Sequence, residues 1–298
     1  MDHIQFQSVS KTYRNQTQPA LLQVNLTIPY KQKVGLVGEN GSGKTTMLRL
    51  LLNLLRPDEG TIKIFNGADM KKTEKFPGYL PEDREGLENF TAQELLSMAA
   101  GMNGVNQKKA AERIPELLHW VGLESHKDEL LAGFSKGMRQ RALLAAALVH
   151  QPAVLLLDEP FSGLDPDGQF KLRQLLKQLQ DVTLLLASHN LTEVENICER
   201  VIILKNGQIK EDALLADNKQ NMFSLTSSPQ LLKLLKNFPD INYQEEQSQG
   251  GRIILILEGM QSAVQSFLAA AEKEKIPVEN FRSHSALELL YRRHSSTA

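Results

Sequence analysis

The segment Gly38-Glu-Asn-Gly-Ser-Gly-Lys-Thr45 fits the spacing G-x-x-x-x-G-K-[ST]. Gly38, Gly41 and Gly43 free the backbone to bend until several N–H groups face one phosphate. A helix starting near Lys44 adds its positive end. Lys44 then reaches the β- and γ-phosphates as a point charge, and the Thr45 hydroxyl can ligate Mg²⁺. The candidate cradle therefore comprises Gly38, Glu39, Asn40, Gly41, Ser42, Gly43, Lys44, Thr45 and Thr46. A Gly-rich turn beside an ordinary lysine shares the spacing, but not the apolar run before it and the helical pattern after it. Further on, Val154-Leu-Leu-Leu-Asp158-Glu159-Pro160 reads as a buried strand ending in two carboxylates. Asp158 at the tip can hold the magnesium hydration shell. Glu159 can polarise an attacking water as general base. Adjacent acids after a strand can also be a solvated turn or a helix cap; the phosphate loop upstream favours the catalytic reading.

These residues need elements to position them. Ile4, Phe6 and Val9 alternate roughly with polar residues, and Leu22, Val24, Leu26 and Ile28 alternate strictly, so both stretches read as half-buried strands. Residues 33–37 form a short apolar run, as in a buried parallel strand. The glycine loop follows, then a buried helix over 47–55, stopped by Pro57 and Gly60. Residues 61–65 read as a strand closed by Asn66 and Gly67, a hairpin-turn pair. Residues 91–149 are mostly helical, opened by Thr91 and Glu94 at capping-box spacing. A strand over 153–157 is followed by a helix over 169–179, with Phe170, Leu172, Leu175, Leu176 and Leu179 at helical spacing. A strand at 182–187, a helix at 191–198 and a strand at 201–204, ending at Asn206-Gly207, complete an α/β sheet with a helical insertion.

Composition shifts after about residue 215, where residues 217–221 form a polar stretch suited to a linker. Strands at 222–225 and 252–257 and helices at 230–235, 263–273 and 286–293 follow, with 244–251 read as a polar loop. Ala263, Phe267, Leu268 and Ala270 share one helix face; Leu287, Leu290 and Tyr291 share another. The expected organisation is an α/β domain over 1–215, its helical part about 91–148, and a small C-terminal α+β domain over 221–298.

The 298 residues carry 34 basic and 35 acidic side chains, a net charge of −1. That balance excludes a whole-surface positive field, and no nucleic-acid partner is expected. Hydrophobic residues at 41% and charged residues at 23% are those of a folded soluble protein. The one cysteine, Cys198, excludes an intramolecular disulfide and a Cys-rich zinc site. The longest apolar run, residues 142–149, falls short of the roughly 18 residues that span a bilayer. No signal-peptide core precedes residue 18. The expectation is a cytoplasmic protein whose membrane role, if any, comes through a partner.

Further motifs narrow the class. Phe134-Ser-Lys-Gly-Met138 precedes Arg139-Gln-Arg141, Ser162-Gly-Leu-Asp165 follows the acid pair, and His189 ends Ala187-Ser-His189. Together with the phosphate loop, in this order, they make residues 1–215 resemble the nucleotide-binding domain of the ATP-binding cassette (ABC) family of ATPases, a P-loop NTPase fold. The resemblance implies ATP and Mg²⁺ as cofactors, Lys44, Glu159 and His189 as catalytic residues, and Thr45, Asp158 and Glu82 around the metal. It also implies Tyr13 stacking on adenine, though a tyrosine in a polar loop can be plain surface. Ser135 and Gly137 would serve the ATP of the opposite subunit in a head-to-tail dimer, with Asp165 of the following loop also at the nucleotide; the plain alternative for Ser135 and Gly137 is a simple helix cap. His189 could contact the γ-phosphate or the water, or be structural.

Two motifs depart from the family pattern. Glu82, after Gly78-Tyr-Leu-Pro81, stands where glutamine is common, and is either a metal-shell ligand or an exposed acid. Lys136 and Met138 replace the usual Gly and Gln; Lys136 either adds positive charge near phosphate or points to solvent. Both marks resemble the bacterial ABC-2-type export ATPases, including drug- and bacteriocin-resistance systems. The implied function is an ATP-hydrolysing subunit of an exporter, peripheral on the inner face of the cell membrane. It would energise separately encoded permease subunits and pair with itself or a homologous ATPase. The alternatives are a soluble repair or translation ATPase, for which long heptads and zinc fingers are missing, and an ATP-sensing regulatory subunit, which the intact Lys44, Asp158, Glu159 and His189 oppose.

Overall fold

The computed structural model describes residues 2–14, 16–65, 76–82, 86–215, 221–249, 252–285, 287–288 and 290–291. The chain divides into two compact units, Met1–Ala213 and Leu214–Ala298.

In the first, β1 (Asp2–Lys11), β2 (Leu21–Pro29), β3 (Lys33–Val37), α1 (Lys44–Leu51), β4 (Glu59–Ile64) and β5 (Gly78–Leu80) come first. The helical insertion follows: α2 (Ala92–Met102), α3 (Gln107–Trp120) and α4 (Lys136–Leu148). Then come β6 (Val154–Asp158), α5 (Pro166–Gln178), β7 (Thr183–Ser188), α6 (Leu191–Ile197), β8 (Arg200–Lys205) and β9 (Gln208–Leu214). An antiparallel sheet has the order β2-β1-β4, and a larger one the order β5-β6-β7-β3-β8-β9. In the latter, β5, β6, β7, β3 and β8 pair in parallel. Every residue of β6 and β7 is buried, which is why they read as continuous apolar runs. Parallel pairing brings the C-terminal ends of β3, β6 and β7 to one sheet edge. Val37 is opposite Ser188, and Asp158 opposite Ala187. The glycine loop, the acid pair and the stretch containing His189 all leave from that edge.

Three local readings change. Leu21, not Leu22, is buried in β2; Leu22 is 39% exposed. Between Val9↔Val24 and Lys11↔Leu21, β2 advances three residues against two. The extra residue sits where Gln23 has φ 49°, a bulge that shifts the alternation. α1 stops at Leu51 rather than 55 because Asn53 takes φ 56°, a left-handed position asparagine tolerates. On α5, Leu172, Leu175 and Leu176 are buried but Phe170 is 54% exposed. Two residues before Leu172, it lies on the opposite side of the helix.

The capping box of α2 forms in full: the Glu94 N–H donates to Thr91 Oγ1 at 3.1 Å and the Thr91 N–H to Glu94 Oε2 at 2.8 Å. Asn206 and Gly207, φ 51° and 73°, make the turn from β8 to β9. β9 escapes the sequence pattern because it is an edge strand, with charged residues beside Ile209.

The second unit holds β10 (Asn221–Ser227), α7 (Leu231–Leu235), β11 (Asn242–Gln249), β12 (Arg252–Gly259), α8 (Gln261–Lys273) and β13 (Val278–His284). Its antiparallel sheet has the order β11-β12-β10-β13. Phe223, Leu255 and Leu257 pack with Leu231, Leu234, Val264 and Phe267. The expected loop over 244–251 is instead strand β11, paired with β12 from Asn242↔Glu258 to Gln249↔Arg252. An edge strand with exposed Gln244 and Glu245 has no apolar alternation to read. The buried face of α8 centres on Val264, Phe267 and Ala271, with Ala263, Leu268 and Ala270 flanking it. Of the expected last helix, residues 287–288 and 290–291 are helical, and Leu287 is fully buried. The Asn66-Gly67 turn and residues 216–220 lie outside the described residues.

A chain ended after residue 215 is expected to remain soluble, melt cooperatively and bind ATP as the full chain does, because the first unit has its own core. Calorimetry and nucleotide titration check this; an aggregated or nucleotide-blind product would mean that the second unit completes the first.

Candidate active site

The loop from β3 to α1 owes its path to glycine. Gly41 and Gly43 have φ 82° and 112°, and a Cβ on Gly43 would lie 2.5 Å from the Ala20 carbonyl oxygen. A Cβ on Gly38 would lie 2.4 Å from both the Leu204 carbonyl oxygen and Ser42 Oγ. Lys44, the first residue of α1, is buried and donates to the carbonyls of Gly38 at 2.7 Å and Glu39 at 3.2 Å. Burial lowers its ammonium pKa from the ordinary lysine value, against the pull of Glu159, Asp158 and Glu82. Ser42 Oγ is buried with no hydrogen-bond partner among the described residues, a hydroxyl free for a phosphate. Tyr13 comes alongside: its hydroxyl lies 3.2 Å from Thr46 Oγ1, which ties the ring to the first turn of α1.

A cleft of about 290 Å³ runs over this loop. Tyr13, Asn40, Gly41, Gly43, Lys44, Thr45 and Thr46 line one side, and Glu82, Asp158 and Glu159 another. Gln16 and Ala20, which the motif reading did not single out, also face it. Asp158 is 2% exposed, and Oδ1 has no hydrogen-bond partner among the described residues. Burial pushes its carboxyl pKa up; a hydrogen bond from Thr45 works the other way. An orphaned buried carboxylate oxygen beside a threonine hydroxyl fits magnesium, which keeps several waters and leans on one or two carboxylates and substrate phosphates. No group of three His, Cys, Asp or Glu able to cage a metal occurs among the described residues. Glu82 is exposed at the rim of the cleft.

Glu159 leaves β6 with φ 44°, a left-handed conformation costing a non-glycine residue about 1–3 kcal/mol. Its N–H donates to the Ala187 carbonyl at 2.9 Å, which holds the turn against β7. The carboxylate is buried and held from two sides. The His189 backbone N–H donates to Oε1 at 3.0 Å, and His189 Nδ1 lies 2.9 Å from Oε2. Ser188 Oγ donates to Oε2 at 3.4 Å and accepts the Asn190 N–H at 3.0 Å. The motif reading missed Ser188 and Asn190; their signal is the polar pair flanking His189 at the end of an apolar strand.

Ser135, Gly137 and Asp165 line a different cleft of about 470 Å³, with Met138, Arg141 and Lys171. Ser135 caps α4, its Oγ accepting the Met138 N–H at 3.2 Å, so the helix begins at Lys136. Asp165 caps α5, its Oδ1 accepting the Gly168 N–H at 3.0 Å. A Cβ on Gly137 would lie 3.3 Å from the Gly168 Cα, so the two helix starts meet closely. The Lys136 ammonium lies against the open face of Gly163, where an added Cβ would come within 2.7 Å of Nζ. The lining residues of the two clefts do not overlap. Lys44, Thr45, Asp158 and Glu159 are thus brought together, and Ser135 is not among them.

A parallel sheet whose edge carries a glycine loop, a lysine at a helix start and a buried acid pair defines a P-loop nucleoside-triphosphate-binding protein. The family model described as ABC transporter matches residues 21–162. The ABC transporter ATP-binding protein YxlF of Bacillus subtilis is 36% identical over 80% of this chain and 81% of its own length. The bacitracin transport ATP-binding protein BcrA of Bacillus licheniformis is 34% identical over 78% and 79%. The methionine import ATP-binding protein MetN 1 of Acinetobacter baylyi is 32% identical over 70% and 62%. Among solved structures, an ATP-binding subunit of an ABC transporter is 32% identical, with TM-score 0.64 over 73% of this chain and 92% of that one. The dimeric cassette MJ0796 in a post-hydrolysis state with ADP and Pi is 27% identical, with TM-score 0.62 over 71% and 98%. The chain belongs to the ABC transporter ATP-binding protein family. It is the ATP-binding subunit of a transporter, and the domains of this family hydrolyse ATP. No helix among the described residues is long and apolar enough to cross a membrane.

Proposed function

We propose that this chain hydrolyses Mg²⁺-ATP to drive export through separate membrane permease subunits, working head to tail with a second copy or a homologous ATPase at the inner face of the membrane. The observation that carries the hydrolytic part is the buried Glu159 carboxylate, held by the His189 N–H at the rim of the cleft that contains Lys44 and Asp158. Backbone N–H groups of the glycine loop and the start of α1 take the phosphates. Lys44 exchanges its loop carbonyls for the β- and γ-phosphate oxygens. Thr45 and Asp158, with Glu82 at the rim, would hold magnesium, which neutralises phosphate charge. Tyr13 offers its ring to the base. Glu159 takes the proton of the attacking water, and His189 orients the carboxylate and the γ-phosphate.

Two disjoint clefts favour a site completed between chains. The start of α4, with Ser135 and Gly137, reaches the γ-phosphate bound by the partner's loop, and Asp165 lies beside that junction. Closing over ATP and opening after hydrolysis then works the permeases. The likeness to a bacitracin transport protein over four-fifths of its length supports export; the methionine import relative is matched over less of its length.

Affinity purification of the chain from native membranes is the test. A multi-span membrane protein should co-purify and accelerate ATP hydrolysis, and inverted vesicles should accumulate cargo with ATP. Recovery with soluble partners alone would overturn the transporter reading, and uptake by right-side-out vesicles would reverse the direction.

A further inference from the structure

The nucleotide cleft contains a polar side chain that the hydrolytic chemistry leaves unused. Asn40, Lys44, Thr45 and Thr46 belong to the phosphate loop and the first turn of α1, and Glu82, Asp158 and Glu159 form the acidic side. The rest of the side-chain lining comes from the segment between β1 and β2: Tyr13, Gln16 and Ala20. This segment is pinned at both roots. Asp58 Oδ2 accepts the Thr12 N–H at 2.7 Å, and the Ala20 N–H donates to the Lys11 carbonyl at 2.8 Å. The Gln16 N–H donates to the Tyr13 carbonyl at 2.9 Å, closing a turn with Tyr13 and Gln16 at its ends. The Tyr13 hydroxyl, 3.2 Å from Thr46 Oγ1, fixes that turn against α1. Gln16 is exposed and lines the cleft, and its side-chain amide makes no hydrogen bond among the described residues. A stacking ring asks only for a flat π-face, and every base has one, so Tyr13 alone does not choose among bases. A primary amide sets a carbonyl acceptor beside an N–H₂ donor. Adenine presents the complement, a 6-amino donor beside a ring-nitrogen acceptor, and glutamine pairs with it through two hydrogen bonds.

We infer that Gln16 reads the 6-amino edge of a purine stacked on Tyr13, so that the subunit selects adenine nucleotides through a side chain outside the phosphate-binding motifs. The Gln16 carbonyl accepts from the amino group, and its N–H₂ donates to the neighbouring ring nitrogen. Guanine carries an oxygen at that position and meets the amide only if the amide turns over. The diagnostic ligand is therefore one that lacks the amino group and carries nothing in its place. The inference rests on the reading of Tyr13 as the base-stacking ring and adds the base specificity of that site.

The test titrates the purified full chain, in Mg²⁺, with ADP and with purine riboside diphosphate, which carries hydrogen in place of the 6-amino group. As diphosphates, neither is consumed during the titration. Wild type should bind ADP about 3- to 10-fold more tightly, the range expected of a partly exposed neutral hydrogen-bonded pair. Gln16→Ala should bind the two ligands alike, its ADP affinity falling to the wild-type value for purine riboside diphosphate. Its melting temperature should not change, because Gln16 is exposed and its amide holds no other part of the fold. Equal wild-type affinities for the two ligands, or a preference of undiminished size in Gln16→Ala, overturn the inference and leave the nucleotide-binding reading intact. An equal loss of both ligands in Gln16→Ala also overturns it, and assigns the side chain to the ribose. Failure of wild type to bind ADP, purine riboside diphosphate and ATP overturns the nucleotide-binding reading itself.

Discussion

Replacing Glu159 by glutamine is expected to leave ATP bound and to cut steady-state hydrolysis by about 10²–10⁴-fold, the usual worth of a positioned base. The amide keeps the shape of the side chain and still offers an oxygen to the His189 N–H, which is 3.0 Å from Oε1 in the native protein. It cannot take a proton from water. Lys44, Thr45 and Asp158 are untouched, so the affinity for ATP should not change. ATP-bound dimers should accumulate, visible by size-exclusion chromatography beside phosphate release. Near-normal turnover in Glu159→Gln would place the base elsewhere.

The second large effect comes from the two clefts that share no lining residue. Lys44→Ala and Ser135→Arg homodimers should both be inactive. In a mixed dimer, one composite site carries both lesions and the other carries neither. Activity should return to at most about half of wild type per mixed dimer, less if the sites are coupled. ATPase activity against mixing ratio gives the answer. If verified mixed dimers show no recovery, single-turnover hydrolysis with one labelled ATP per dimer separates a site within one chain from a requirement for two intact sites.

The sequence makes the phosphate loop, the acid pair and the parallel core legible for one physical reason. Strands buried on both faces must be apolar throughout, and the polar residues at their ends then stand out. Asp158 and Glu159 end five buried positions of β6, and Ser188 and His189 end those of β7. Where burial is one-sided or absent, the signal fails. β9 and β11 are edge strands with charged or amide side chains, and nothing in their composition separates them from loops. Leu22 misleads because a bulge at Gln23 inverts the faces, and a bulge has no hydrophobic signature. Ser135 and Asp165 are visible as residue types, but their neighbours Arg141 and Lys171 reach the same cleft from separate helices, a proximity only the folded chain creates.

The hold of His189 on Glu159 has a consequence for timing. The backbone N–H can stay in place while the base works, but on the proposed reading Oε2, which faces the His189 ring, would have to turn to the water before it takes a proton. Loading and firing become separate events. On that reading, ATP binding would load the site and a shift of the stretch from Ser188 to Asn190 would release the base. On the hydrolytic reading proposed above, a subunit that is loaded but not triggered would thereby be kept from draining the nucleotide pool.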